Sequence, residues 1–186
     1  MNLLLASRNE NKLCELRTAL PAWEIALLQT PDEPVEDGAT FLDNARIKAR
    51  HGRTLAPADA WVAGEDSGIE VAALGGRPGV HSARWAEDGV AQLLLELGGQ
   101  SDRRARYVCE LVVLAHDGAE VRATGTLDGA IADGRRGDEG FGYDPIFVPD
   151  GETLTVAELG NAWKAANSHR ARAASALARA LTGVDE

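Results

Sequence analysis

The sequence predicts an α/β fold, a central mixed β-sheet flanked by helices. Three observations carry that expectation: an apolar strand leading through a polar loop into a helical pattern at the N-terminus, two apolar runs joined by a hairpin signal in the second half, and a leucine- and alanine-striped helix at the C-terminus. Residues 2–6 form a short apolar run suited to a buried strand, and Asn9 precedes a segment placing Leu13, Leu16 and Leu20 on one helical face. Thr40 with Asp43 three residues on marks a second helix start, with Phe41, Ala45, Ile47 and Ala49 following; Asp is a weaker capping-box partner than Glu or Gln. Residues 60–63 and 69–73 read as two short strands, and Gly64-Glu65-Asp66-Ser67-Gly68 reads as a bend because turn residues crowd it. Residues 75–79 are a loop, and 90–97 are helical up to Gly98-Gly99. Residues 106–115 read as a long strand, and Asp117-Gly118 turns the chain into another strand from Glu120. Residues 134–149, with glycines at 134, 137, 140 and 142, read as a functional loop. The last helix has Ser168 as N-cap, Leu177 and Leu181 on one face, and Gly183 as its stop.

A chain of 186 residues fits a single domain, and a 45% hydrophobic content suffices for a sizeable core. The net charge of −10 argues against broad salt-driven binding to nucleic acid or an anionic membrane, which needs a positive footprint. A phosphate ligand must therefore be met locally. Cys14 and Cys109 are too few for a structural zinc site and are expected to be free and buried. The N-terminal residues lack a signal-peptide pattern, and the longest apolar run, residues 111–115, falls far short of the roughly 20 residues that span a bilayer. A soluble, cytoplasmic protein is expected.

Four clusters carry chemistry. Ser7-Arg8-Asn9-Glu10-Asn11-Lys12 lies between strand and helix, where backbone N–H groups and the helix dipole favour an anion, yet Asn9 also reads as a plain N-cap. Glu65-Asp66-Ser67-Gly68, with Glu36-Asp37-Gly38 as a partner loop, offers the carboxylates a hard cation such as Mg²⁺ uses, one of which could act as general base; acidic turn residues without function are the bland alternative. Gly140-Phe141-Gly142-Tyr143-Asp144-Pro145 sets aromatics among glycines, for stacking on a base or for plugging a core. Lys164 and Ser168-His169-Arg170 form the fourth, in which His169 could face a nucleobase edge or cap a helix.

Taken in order, Ser7-x-Asn9-x-x-Lys12, Asp66-Ser67-Gly68, Gly76-x-Pro78-Gly79 with Ser82-Ala83-Arg84, Phe141-Gly142-Tyr143-Asp144-Pro145 and Ser168-His169-Arg170 resemble the Ham1 / inosine triphosphate pyrophosphatase family across residues 3–182. The resemblance implies Mg²⁺-dependent hydrolysis of ITP, dITP and XTP to monophosphate and pyrophosphate, by a homodimer of a single domain (1–186) opened into two lobes around a groove. It further implies that Ser7 to Lys12 (Ser7, Arg8, Asn9, Glu10, Asn11, Lys12) hold the triphosphate, with Lys48 reaching it from a second helix. Asp66 would be metal ligand and proton acceptor, Glu36 the second metal carboxylate with Asp37 and Glu65 as alternatives, and Ser67 a substrate contact. Phe141, Gly142, Tyr143, Asp144, Lys164, His169 and Arg170 would form the nucleoside pocket, Phe141 stacking on the purine. The chain departs from the family's usual residues at Glu65, where Asp is commoner, and at His81, where Tyr is usual. A pyrophosphatase for another modified nucleotide and a non-catalytic nucleotide-binding protein remain open alternatives at this stage.

Overall fold

The structure, a computed structural model, describes residues 2–182, and the expected helix stop Gly183 lies outside them. In chain order the elements are β1 (Asn2–Leu5), α1 (Glu10–Ala19), β2 (Glu24–Leu27), α2 (Phe41–Leu55), β3 (Trp61–Val71), α3 (Gly89–Glu96), β4 (Arg104–Leu114), β5 (Glu120–Ile131), β6 (Phe147–Pro149), α4 (Val156–Asn167) and α5 (His169–Thr182). The sheet has six strands in the order β2-β1-β3-β4-β5-β6. It is mixed, as expected: β1 is parallel to β2 and β3, whereas β5 and β6 are antiparallel. No helix among the described residues is long and apolar enough to cross a membrane.

By its contacts the described chain divides into two compact units, one comprising residues 2–66, 109–125 and 170–182, the other residues 67–108 and 126–169. In the first, Leu13 and Leu16 of α1 and Ala173, Ala174 and Leu177 of α5 pack with Leu3, Leu5, Ala63, Cys109, Leu111 and Val113. Ala45 and Ala49 of α2 pack instead with Val112 and Leu114. Odd and even residues of β4 thus serve different helices, the consequence of the period-two alternation of a strand buried on both faces. Each fully buried leucine contributes about 1.5–3 kcal/mol. In the second unit, Ile69, Val71, Val90, Leu93, Leu97, Tyr107, Leu127, Ile131, Ile146 and Phe147 form the core.

Residues 60–73 correct the sequence expectation. They hold no bend: Gly64-Glu65-Asp66-Ser67-Gly68 lies inside the continuous strand β3. Gly64 is there for packing, since a Cβ would lie 2.0 Å from the Ala45 carbonyl oxygen and 2.5 Å from the Ala49 nitrogen of α2. The acidic residues stay in the strand because cations from the helices meet them, as described below.

The helix starts follow the capping rules. Asn9 caps α1, its side chain accepting the Asn11 and Lys12 N–H groups, and Thr40 and Asp43 form the full reciprocal capping box of α2. Helix α4 was not anticipated, although Thr155 and Glu158 form a second capping box at its start. Its interior breaks at Gly160 (φ 85°), where the Glu139 carboxylate accepts the Asn161 N–H at 2.9 Å. Ser168 sits at the junction of α4 and α5 in extended conformation. Both cysteines are free, but Cys14 is exposed, contrary to expectation, because it lies on the solvent side of α1; Cys109 is buried.

Candidate active site

The N-terminal loop is shaped by its own side chains. Ser7 Oγ accepts the Asn9 N–H at 3.1 Å, and Asn9 Oδ1 accepts those of Asn11 and Lys12 at 3.0 and 3.2 Å. Two of the free donors at the start of α1 are therefore used by the cap, which leaves less of the helix end for an anion than the sequence suggested. Arg8, Glu10 and Asn11 are exposed, and Arg8 donates to the Thr30 and Pro31 carbonyls at 3.5 and 3.4 Å. Lys12 turns inward, its Nζ 2.6 Å from Glu65 Oε2.

Strand alternation then separates two neighbours that the sequence reading grouped as one acidic pair. Glu65 is fully buried on the side of α1 and α5. Besides Lys12, Arg170 donates to its Oε1 from Nε at 3.2 Å and Nη2 at 3.0 Å, and the Cys109 thiol donates at 3.3 Å. The other end of the Arg170 guanidinium holds Glu15. Lys12, Arg170, Glu65 and Glu15 sum to zero charge. Burial alone would raise the Glu65 pKa, but Lys12, Arg170 and Lys48 hold it well below the usual carboxylate range. Burial and the Glu65 charge push the Cys109 thiol well above its ordinary value, so this cysteine is not a thiolate nucleophile.

Asp66 faces α2. Its Oδ1 lies 2.8 Å from Lys48 Nζ, and its Oδ2 accepts from Asn44 Nδ2 at 3.2 Å. Lys48 Nζ also lies 3.3 Å from Glu36 Oε1, so one ammonium stands between two carboxylates drawn from a loop and a strand. The helix places these groups because its inward stripe, Phe41, Asn44, Ala45, Lys48, Ala49 and Gly52, carries two polar residues one turn apart. Burial raises the Asp66 pKa, more than Lys48 and Lys12 lower it. The pKa of Lys48 rises although burial opposes it, because Asp66, Glu65 and Glu36 favour the ammonium.

Asp66, Glu36 and Lys48 carry one net negative charge, unlike the balanced Glu65 cluster. The hard carboxylate oxygens, already bridged by a monovalent cation, fit Mg²⁺. Among the described residues no group of three or more His, Cys, Asp or Glu could hold a metal by itself. Mg²⁺ is commonly bound through one or two carboxylates, with water and substrate phosphate completing the shell. Asp37 is exposed, and Glu65 is committed to the opposite face.

The second unit holds an independent polar centre. Asp144, 2% exposed, accepts from the Phe141 N–H at 2.8 Å, the Tyr107 hydroxyl at 3.2 Å and Lys164 Nζ at 2.6 Å. Lys164 Nζ also lies 3.8 Å from the centroid of the Phe141 ring, a cation–π contact. The His169 ring stacks on Tyr107 at 4.6 Å between centroids. Gly140 is required here: its φ is +78°, and a Cβ would lie 2.3 Å from Asp144 Oδ2. Tyr143 is buried, donates to the Ser82 carbonyl at 3.0 Å, and has its pKa pushed up to about 12 by burial. With Gly142, Ser82, Asp88 and Arg135 it lines a cleft of about 630 Å³ that Phe141, Asp144 and Lys164 do not line.

Of the expected nucleoside-pocket residues, Phe141, Asp144, Lys164 and His169 therefore belong to the second unit. The Arg170 guanidinium is buried in the first unit on Glu65 and Glu15. Sequence reasoning missed Asn44, Glu15 and Tyr107. Asn44 had a readable signal, a polar residue in the apolar stripe of α2 one turn before Lys48.

Comparison with known proteins adds the lineage. The Ham1 family model matches residues 3–180. The dITP/XTP pyrophosphatase of Bdellovibrio bacteriovorus is 39% identical over 206 aligned residues covering 100% of both chains. The solved structure of the Staphylococcus aureus Ham1 protein matches with a TM-score of 0.87 at 35% identity, over 98% of this chain and 99% of that one. A nucleoside-triphosphatase / dITP/XTP pyrophosphatase from Mycobacterium abscessus matches with a TM-score of 0.75 at 41% identity, over 95% and 97% of the two chains. Sequence and fold agree along nearly the whole chain, which belongs to the Ham1 family.

Proposed function

We propose that this protein hydrolyses the triphosphates of deaminated purines, ITP, dITP and XTP, to the monophosphate and pyrophosphate. The observation that carries the reading is Asp66, a buried carboxylate whose proton affinity is raised by burial and whose two oxygens are fixed by Lys48 and Asn44 beside Glu36. A raised pKa makes a carboxylate a better proton acceptor. Asp66 takes the proton of the attacking water, while Lys48, beside Asp66 and Glu36, offers its charge to phosphate oxygens. Asp66 and Glu36 would hold Mg²⁺, which when bound neutralises phosphate charge and acidifies coordinated water. Ser7, Arg8, Asn9, Glu10, Asn11 and Lys12 line the route for the triphosphate, and Ser67 contacts substrate.

Base selection belongs to the second unit in this reading. Phe141 stacks on the purine, and Lys164 and His169 donate toward its 6-oxo group; Gly142, Tyr143 and Asp144 shape and hold that pocket. Adenine presents an amino donor at position 6, so it would leave a buried donor unpaired at a cost of about 1–3 kcal/mol. Arg170 is the remaining pocket residue, its guanidinium anchored on Glu65 and Glu15 at the start of α5. The protein works in the cytoplasm and as a homodimer; sedimentation of the purified protein checks the dimer, and cell fractionation the location.

The test is a panel of ITP, XTP, GTP and ATP with Mg²⁺ or EDTA, scoring pyrophosphate against orthophosphate. Preferential pyrophosphate release from ITP and XTP, abolished by EDTA, is expected. Equal turnover of all four, or orthophosphate as product, contradicts the reading.

A further inference from the structure

Asn44 is completely buried, and both ends of its amide are used. Its Oδ1 accepts the Gly38 N–H at 2.9 Å, and its Nδ2 donates to Asp66 Oδ2 at 3.2 Å. The orientation has one chemical solution, because Gly38 can only donate and a carboxylate accepts. Lys48, one helical turn further, takes the other Asp66 oxygen and reaches Glu36. The links form a closed circuit: loop residue Glu36 to Lys48, Lys48 to Asp66, Asp66 to Asn44, and Asn44 back to the same loop at Gly38.

The surroundings make this circuit stiff. A Cβ on Gly38 would lie 2.6 Å from Asp43 Cβ and 2.7 Å from Asn44 Oδ1, so only glycine lets the loop come this close. The first turn of α2 is itself locked, Thr40 Oγ1 donating to Asp43 Oδ2 at 2.7 Å and accepting the Asp43 N–H at 3.1 Å. Lys48 also ties the loop carrying Glu36 to Asp66, but a lysine that must meet phosphate as well cannot be a fixed strut.

We propose that Asn44 is the positioning residue of the carboxylate pair, holding the Glu36 loop and Asp66 at a set separation whether or not Lys48 is engaged elsewhere. The proposal rests on the reading of Asp66 and Glu36 given above. Partners behind metal-binding groups typically change metal affinity or activity by about 10- to 100-fold when removed. For Asn44→Ala we expect kcat to fall and the Mg²⁺ dissociation constant, measured by calorimetry without substrate, to rise, each in that range, while KM changes little. Amide exchange at Gly38 in the metal-free protein should speed up by about tenfold or more, the equivalent of one lost hydrogen bond. Asn44→Asp has the same shape and keeps the acceptor for Gly38; there, exchange stays slow while kcat still falls, because the donor to Asp66 is gone.

Asp66→Asn separates the two levels. If that variant keeps its turnover, both the reading and the proposal fail. If it loses turnover while both Asn44 variants keep wild-type kcat and Mg²⁺ binding, the proposal alone is overturned. It is also overturned if the kcat of Asn44→Ala falls only in proportion to its folded fraction, with Mg²⁺ affinity and Gly38 exchange of the folded protein unchanged.

Discussion

Glu65 and Asp66 are neighbours on β3 and both are buried, yet the fold treats them in opposite ways. Glu65 faces two cations, Lys12 and Arg170, and a thiol, and it ionises more readily than a free carboxylate despite complete burial. Asp66 faces one ammonium, shared with Glu36, and it ionises less readily. Desolvation pushes both upward; the number of cations on each face decides which one overcomes it. What distinguishes a carboxylate that holds a fold from one available for chemistry is therefore the face of the strand it falls on, set by alternation, and the charge balance of the helix packed there.

Exchanging each carboxylate for its amide breaks the comparison open. Asp66→Asn should lower kcat by about 10²- to 10⁴-fold, the range for losing a general base, with KM changed little; steady-state kinetics with ITP checks this. Glu65→Gln leaves buried Arg170 and partly buried Lys12 beside a neutral group, and breaking such an arrangement costs about 3–5 kcal/mol. Calorimetry should show the melting temperature down by about 6–20 °C, since about 1 kcal/mol shifts a chain of this size by about 2–4 °C. The second unit supplies a control that touches neither carboxylate. Phe141→Ala should raise KM for ITP about tenfold, matching about 1–3 kcal/mol for a lost base–aromatic stack, and leave kcat within a few-fold.

Much of this fold could be read from local rules. The caps of α1 and α2, the turn at Asp117-Gly118 and the stripe of α5 use side chains that act within a few residues. β2 and β6 are too short to show a period. Helix α4 carries the same Thr-x-x-Glu/Asp signature as α2, but Gly160 interrupts the apolar pattern that would have extended it. The larger error, at β3, concerns the site itself. Gly64 serves the approach of α2, an arrangement distant in sequence, and local rules read it as a turn. A bend has no faces, so that reading hid the separation of Glu65 from Asp66. It also hid why Arg170, grouped by motif with Lys164 and His169, has its side chain on Glu65. The site residues could be named from motifs, whereas their division of labour depended on strand geometry.

Glu65 sustains the fold while Asp66 is kept ionisable at the fold's expense, a division that thermal unfolding followed from about pH 3 to 8 in EDTA resolves. The Glu65 pKa is lowered on folding, so its stabilisation is present above the unfolded value of about 4.3 and is lost as pH falls through the folded value. The Asp66 pKa is raised on folding, so its contribution is present below the unfolded value of about 3.9 and is lost as pH rises through the folded value. Glu65→Gln should melt well below wild type at pH 7, with the gap narrowing toward pH 3, and Asp66→Asn should melt at or above wild type at pH 7. Melting of Asp66→Asn as far below wild type as Glu65→Gln at pH 7 would contradict that division.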